Sequence, residues 1–141
     1  MDGPLELYHR QHRELRRSVE WLAGVEIGAL ATAAGQGEVR RRLAELSGKL
    51  LVHLQMEDGS LYPEMLRSPS ADVRATAVRF QSEMGALRRS ADEAFRRWLR
   101  RDALSQAPER FLADRRTLFH ALHSRIDAEE AELYPLVERA R

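Results

Sequence analysis

A chain of 141 residues is long enough for one domain with a proper core and short for two. Its 43% apolar and 32% charged residues exclude a disordered chain, and a formal net charge of +1 excludes the marked basic excess of a dedicated nucleic-acid binder. Cysteine is absent, which excludes disulfides, thiolate metal sites and thiol nucleophiles, so any metal must be held by nitrogen and oxygen.

The N-terminal stretch Met1 to Glu6 has neither a basic region nor an apolar leader, and no uncharged apolar run is long enough to span a bilayer. A cytoplasmic protein of one domain, residues 1–141, with no membrane and no nucleic-acid partner is the expectation. Apolar residues then recur at Leu5, Tyr8, Leu15, Val19 and Leu22, the seam of a first helix whose start suits Asp2 and Pro4. His12 falls on that seam. Gly24, Gly28, Gly35 and Gly37 mark the loop after it.

A second helix reads Val39, Leu43, Leu46 and Leu50, then His53 and Glu57, so its apolar stripe turns polar in the last two turns. Pro63 should end it. Ser68, Pro69 and Ser70 make a turn and an N-cap for a third helix, with Val73, Ala77, Phe80, Met84, Leu87, Ala91, Phe95 and Trp98 facing inward. Asp102 to Ala107 is a connector, and Pro108 suits the first turn of a fourth helix with Phe111, Leu118, Leu122, Ile126, Glu129 and Leu133 on its seam. Pro135 should end that one. No segment alternates with period two, so the fold class is all-α, most simply an antiparallel up-down-up-down four-helix bundle.

The second and fourth helices carry two copies of one stretch. His53-Leu54-Gln55-Met56-Glu57 leads to Leu61-Tyr62-Pro63, and Arg125-Ile126-Asp127-Ala128-Glu129 leads to Leu133-Tyr134-Pro135, without a gap and 72 positions on. The same offset lays His12 over Met84 in the first and third helices. An internal repeat is the reading. It makes His12 and Met84, His53 and Arg125, and Glu57 and Glu129 equivalent positions.

The early His, the His-x-x-x-Glu before Leu-Tyr-Pro and the later Glu before Leu-Tyr-Pro resemble the hemerythrin-like, or HHE cation-binding, family over essentially the whole chain. That resemblance implies a four-helix bundle with two non-haem irons in its core, one taking imidazoles from the first and second helices and the other from the third and fourth. His12, His53, Glu57 and Glu129 match ligand positions. The family's remaining two His ligands fall at Met84 and Arg125, and neither a thioether nor a guanidinium can replace an imidazole on a hard iron ion.

Both losses belong to the second iron. Two readings stand. One is a hemerythrin-like protein holding at most one ion through His12, His53, Glu57 and Glu129, with iron first and manganese or zinc also admitted, and with dioxygen, iron or redox sensing or handling implied by the resemblance. The other is a metal-free structural or partner-binding bundle with no metal cofactor, in which Arg125 pairs with Glu57 and Glu129 in place of the second metal.

Other polar residues have plainer expectations. Tyr62 and Tyr134 are candidates to hydrogen-bond the ligands from behind. His9 is read as exposed or supporting, and His120 and His123 as surface residues off the Glu129 face. The Arg96-Arg97-Trp98-Leu99-Arg100-Arg101 run is read as a solvated helix end.

Overall fold

A computed structural model describes Gly3 and residues 5–141 of the chain. The expected helix start at Asp2 and Pro4 lies outside the described residues. What is described is helical throughout, 88% of it, with no strand among the described residues. The long helices are α1 (Glu6–Ala23), α2 (Ala33–Met56), α4 (Ala71–Trp98) and α6 (Pro108–Ala128), and shorter pieces α3 (Tyr62–Leu66), α5 (Ala103–Gln106) and α7 (Tyr134–Ala140) lie between and after them. Helix α1 packs on α2 and α6, and α4 packs on the same two, so the four close on one another.

The seams read from periodicity are the buried ones, except that Leu87 is only half-buried. Leu15, Val19 and Leu22 of α1 meet Leu43, Leu46 and Leu50 of α2, with Phe95 and Trp98 of α4 and Phe111, Leu118 and Leu122 of α6 in the same apolar cluster. A second cluster joins Leu5 and Tyr8 to Leu61, Tyr62, Met65, Phe80, Leu133, Tyr134 and Val137. The buried histidines and carboxylates of the core are His12, His53, Glu57 and Glu129. Helix α4 starts on Ser70, whose hydroxyl accepts the Val73 N–H, and α6 starts with Pro108 in its first turn, as the sequence indicates. The connector before α6 turns through Asp102, the single non-glycine residue with positive φ, 68°, among the described residues.

Two expectations need correction. The glycine-rich stretch is not all loop: Ile27–Ala31 forms a 3₁₀ turn, and Thr32 then caps α2 by accepting the Gly35 N–H at 3.0 Å. Glycine is required at position 35 because a Cβ there would lie 1.8 Å from the Ala29 carbonyl oxygen. Pro63 and Pro135, in turn, do not end their helices. Each follows a π-helical turn, Glu57–Leu61 and Glu129–Leu133, in which the Tyr62 and Tyr134 N–H groups reach back five residues to the Glu57 and Glu129 carbonyls. The wider turn places each proline in the first turn of a new α-helical piece, where a missing N–H costs nothing, and the rod continues.

Candidate metal centre

The π turns also decide which side chains meet. Over five residues a regular α-helix rotates a side chain to about 140° from where it began. With about 4.4 residues per turn, a π turn leaves it only about 50° away. Tyr134 therefore shares a face with Glu129. Its hydroxyl lies 3.3 Å from Glu129 Oε1, 3.1 Å from Glu57 Oε2 and 3.1 Å from His12 Nε2.

His12 from α1, His53 from α2, Glu57 from the first π turn and Glu129 from the second are all buried, and each offers one donor atom within 4.8 Å of the others. His12 Nε2 sits 3.2 Å from His53 Nε2 and 2.7 Å from Glu129 Oε1. His53 Nε2 is 3.3 Å from that same oxygen and 3.4 Å from Glu57 Oε2. The four residues expected as ligands thus come together in space.

The opposite ring nitrogens fix the tautomers. His12 Nδ1 is 2.8 Å from Glu130 Oε1, and Glu130 is in turn held by His9 Nδ1 at 2.5 Å. His53 Nδ1 is 2.7 Å from Gln11 Oε1, whose amide nitrogen donates to the Met56 sulfur. An ionised carboxylate and an amide oxygen can only accept, so each Nδ1 carries a proton outward and each Nε2 faces inward on the carboxylates, donating to them when protonated and free to offer a lone pair to a metal ion when not. Outward hydrogen bonds of this kind orient imidazoles that ligate metals.

Electrostatics of the cluster follow from its burial. Burial pulls the His53 pKa down, but hydrogen bonds to Glu129 and Glu57, and the charges of both, outweigh it and carry it up to about 9. Glu57 is pushed up by burial and then by the Glu129 charge. Glu129 feels the same burial, yet hydrogen bonds from His12 and His53 hold it well below the usual carboxylate range. Tyr134 is driven up, by burial first and by the two carboxylates after it.

Arg125 lies on the other side of Glu129, its side chain 9% exposed. Its guanidinium donates to Glu129 Oε2 at 2.9 Å, to the Tyr62 hydroxyl at 2.8 Å and to the Phe80 carbonyl at 3.0 Å, and stacks 4.6 Å over the Phe80 ring. No hydrogen bond joins it to Glu57, so only half of the expected pairing forms. Glu57 Oε1 is buried without any partner. Met84, Arg125, His53 and Glu129 line a small cavity of about 10 Å³ together with Leu15 and Leu122.

The remaining candidates are placed as follows. Tyr62 meets Arg125, not the donor atoms, whereas Tyr134 stands among them. His9 supports Glu130, His120 is exposed, and His123 Nδ1 is 2.8 Å from Arg16. In the arginine run Trp98 is buried against Phe111, and Arg96, Arg97, Arg100 and Arg101 are exposed. Gln11 and Glu130 escaped the sequence reading. The only signal for Gln11 is its place beside His12, and for Glu130 its place beside Glu129.

The donor set fits a metal ion. Two imidazole nitrogens and two carboxylates, with one buried oxygen unpartnered, form the nitrogen and oxygen environment of a divalent first-row metal. Over residues 3–137 the chain matches the model of the hemerythrin HHE cation binding domain. It belongs to that family. Neither a curated protein nor a solved structure matches it. Among the described residues, no helix is long and apolar enough to cross a membrane.

Proposed function

We propose that this chain is a hemerythrin-like antiparallel up-down-up-down bundle that holds a single non-haem metal ion, iron before manganese or zinc, through His12, His53, Glu57 and Glu129. The observation that carries the reading is the pair of inward Nε2 atoms, 3.2 Å apart, each ring fixed by an acceptor on its far nitrogen. Two imidazole nitrogens and two carboxylates converging in a buried core call for a cation, whether protons or the metal ion that displaces them. A bound iron would supply Lewis acidity and a one-electron couple. His12 and His53 would hold it in place together with Glu57 and Glu129, the Leu15 and Leu122 side would limit access of water, and Met84 and Arg125 would close the second position of the family. A small ligand such as dioxygen, in sensing or handling, suits so enclosed a site.

The placement of π turns beginning at Glu57 and Glu129, again 72 residues apart, supports an internal duplication in which the second half has lost its imidazoles. A metal-free bundle is the second reading, favoured by the Arg125 to Glu129 pair at 2.9 Å. It ranks lower because Arg125 leaves Glu57 Oε1 unpartnered and leaves His12 and His53 to share a proton or a cation. Elemental analysis of protein purified without chelators tests the two. About one ion per chain, lost on His53→Ala, is the expected result; a metal-free protein that takes up no iron, manganese or zinc on titration supports the second.

A further inference from the structure

We propose that Tyr134 is a fifth ligand, its phenol oxygen completing a donor set selective for iron(III) over divalent ions. The proposal rests on the single-metal reading above and deepens it. The four ligand atoms already named and the Tyr134 oxygen form one figure. His12 Nε2, His53 Nε2, Glu57 Oε2 and the Tyr134 oxygen make a closed ring with edges of 3.2, 3.4, 3.1 and 3.1 Å in that order. Glu129 Oε1 stands off this ring, 2.7 Å from His12, 3.3 Å from His53 and 3.3 Å from Tyr134. Two donors each about 2.1 Å from an ion and at right angles are about 3 Å apart. By distance, the phenol oxygen cannot be told from the four donors proposed above.

Its environment points the same way. Tyr134 is fully buried, and its ring stacks on His12 at 5.2 Å with 19° between planes, while His9 meets it edge-on. The π turn before it is what brings it onto the Glu129 face, and the corresponding turn in the first half delivers Tyr62 to Arg125 instead. Each tyrosine therefore faces the cation position of the other half: the Arg125 guanidinium for Tyr62, and the metal position beside His12 and Glu57 for Tyr134.

Charge sets the selectivity. Glu57, Glu129 and a coordinated phenolate supply three anionic oxygens, all hard donors, against two neutral imidazoles. Such a set complements a trivalent hard ion better than a divalent one. The phenol proton is released to the buffer on coordination, as ligand protons are when metals bind.

Iron(III), presented as a weak chelate to the full chain, is the probe. The expected result is a visible phenolate-to-iron(III) charge-transfer band with tyrosine ring modes enhanced in resonance Raman. The chain has three tyrosines, so three Phe variants assign the band. Tyr134→Phe should abolish it and weaken iron(III) at least about ten-fold, with zinc(II) affinity changed by less than about three-fold. Tyr62→Phe and Tyr8→Phe should keep it. Stoichiometric iron(III) with no such band, or a band that survives Tyr134→Phe, overturns the ligand role and leaves the single-metal reading standing. A chain that takes up neither iron(III) nor zinc(II) overturns both.

Discussion

His12 and His53 face each other Nε2 to Nε2 across 3.2 Å, and each turns its Nδ1 outward onto an oxygen of Glu130 or Gln11. Neutral imidazoles in that arrangement repel through their lone pairs unless a proton or a metal ion lies between them. The same two outward contacts would have to break for either ring to flip. The pair is therefore held ready for a cation by residues that never touch it.

The first prediction concerns capacity. The chain should bind at most one iron, because the only buried imidazoles among the described residues are His12 and His53, and the positions 72 residues on from them hold Met84 and Arg125, neither of which replaces an imidazole. Metal titration followed by elemental analysis measures it. Two equivalents with the absorption of an oxo-bridged pair would contradict it.

The second concerns Glu130. Glu130→Ala removes the acceptor for His12 Nδ1 without removing a metal donor, so the imidazole loses its tautomer lock and its orientation. Metal affinity should fall about 10- to 100-fold. Gln11→Ala should act on His53 in the same way, and Glu130→Gln, which keeps an acceptor oxygen, should recover part of the loss. Affinities equal to the parent in both alanine variants would show that packing alone orients the rings.

Much of this was legible in the sequence. His53 and Glu57 lie four apart on a helix, His12 lies on an apolar seam, and the Leu-Tyr-Pro copies set Glu129 against Glu57. Helical periodicity reports such relations directly. It fails where the period changes. The π turns at Glu57 and Glu129 add a residue to one turn, carry Pro63 and Pro135 inside a continuing helix, and swing Tyr134 onto the donor face, all of which a count of 100° per residue conceals. Glu130 was hidden for another reason: its role comes from His9 and His12 on a different helix, more than a hundred residues away in sequence.

The third prediction is a pH dependence of the metal-free protein. The folded pKa of His53 is raised to about 9 from 6.5, so its protonated form stabilises the fold. That contribution is fully present below pH 6.5 and is lost as pH rises toward 9, up to about 3 kcal/mol. Glu57, also raised, adds in the same direction. Glu129, held low, contributes above its ordinary value of 4.5 and loses that contribution as pH falls. Denaturant melts in chelator should therefore show stability falling from neutral to alkaline pH. Metal-loaded protein should not show that fall, because the ion takes the proton's place; identical profiles with and without metal would contradict the prediction.

The fourth concerns Arg125. With a side chain 9% exposed and a 2.9 Å bond to buried Glu129, Arg125→Ala leaves a carboxylate, the Tyr62 hydroxyl and the Phe80 carbonyl without their donor. The cost in the metal-free protein should be about 3 to 5 kcal/mol. A loss below about 0.5 kcal/mol in denaturant melts, the range of surface substitutions, would show that the ion pair does not stabilise the fold.

The last prediction is restoration of a second metal position. Met84 and Arg125 line the same small cavity as His53 and Glu129, and both lie 72 residues from the imidazoles of the first half. Replacing both with His should raise metal capacity to two ions per chain, with Glu129 and the unpartnered Oε1 of Glu57 available to the new position. Each single change should fall short for its own reason. With Met84→His alone, the guanidinium remains and repels a cation a few ångströms away by about 4 kcal/mol at intermediate dielectric. With Arg125→His alone, the repulsion is gone but one imidazole must serve where two are needed, so the second ion binds weakly. Metal titration of the two single variants and the double variant, with melts to establish that each is folded, separates these outcomes. A folded double variant with the parent's capacity would mean that the core around Leu15 and Leu122 has closed over the position, and that Met84 and Arg125 do not stand in for lost ligands.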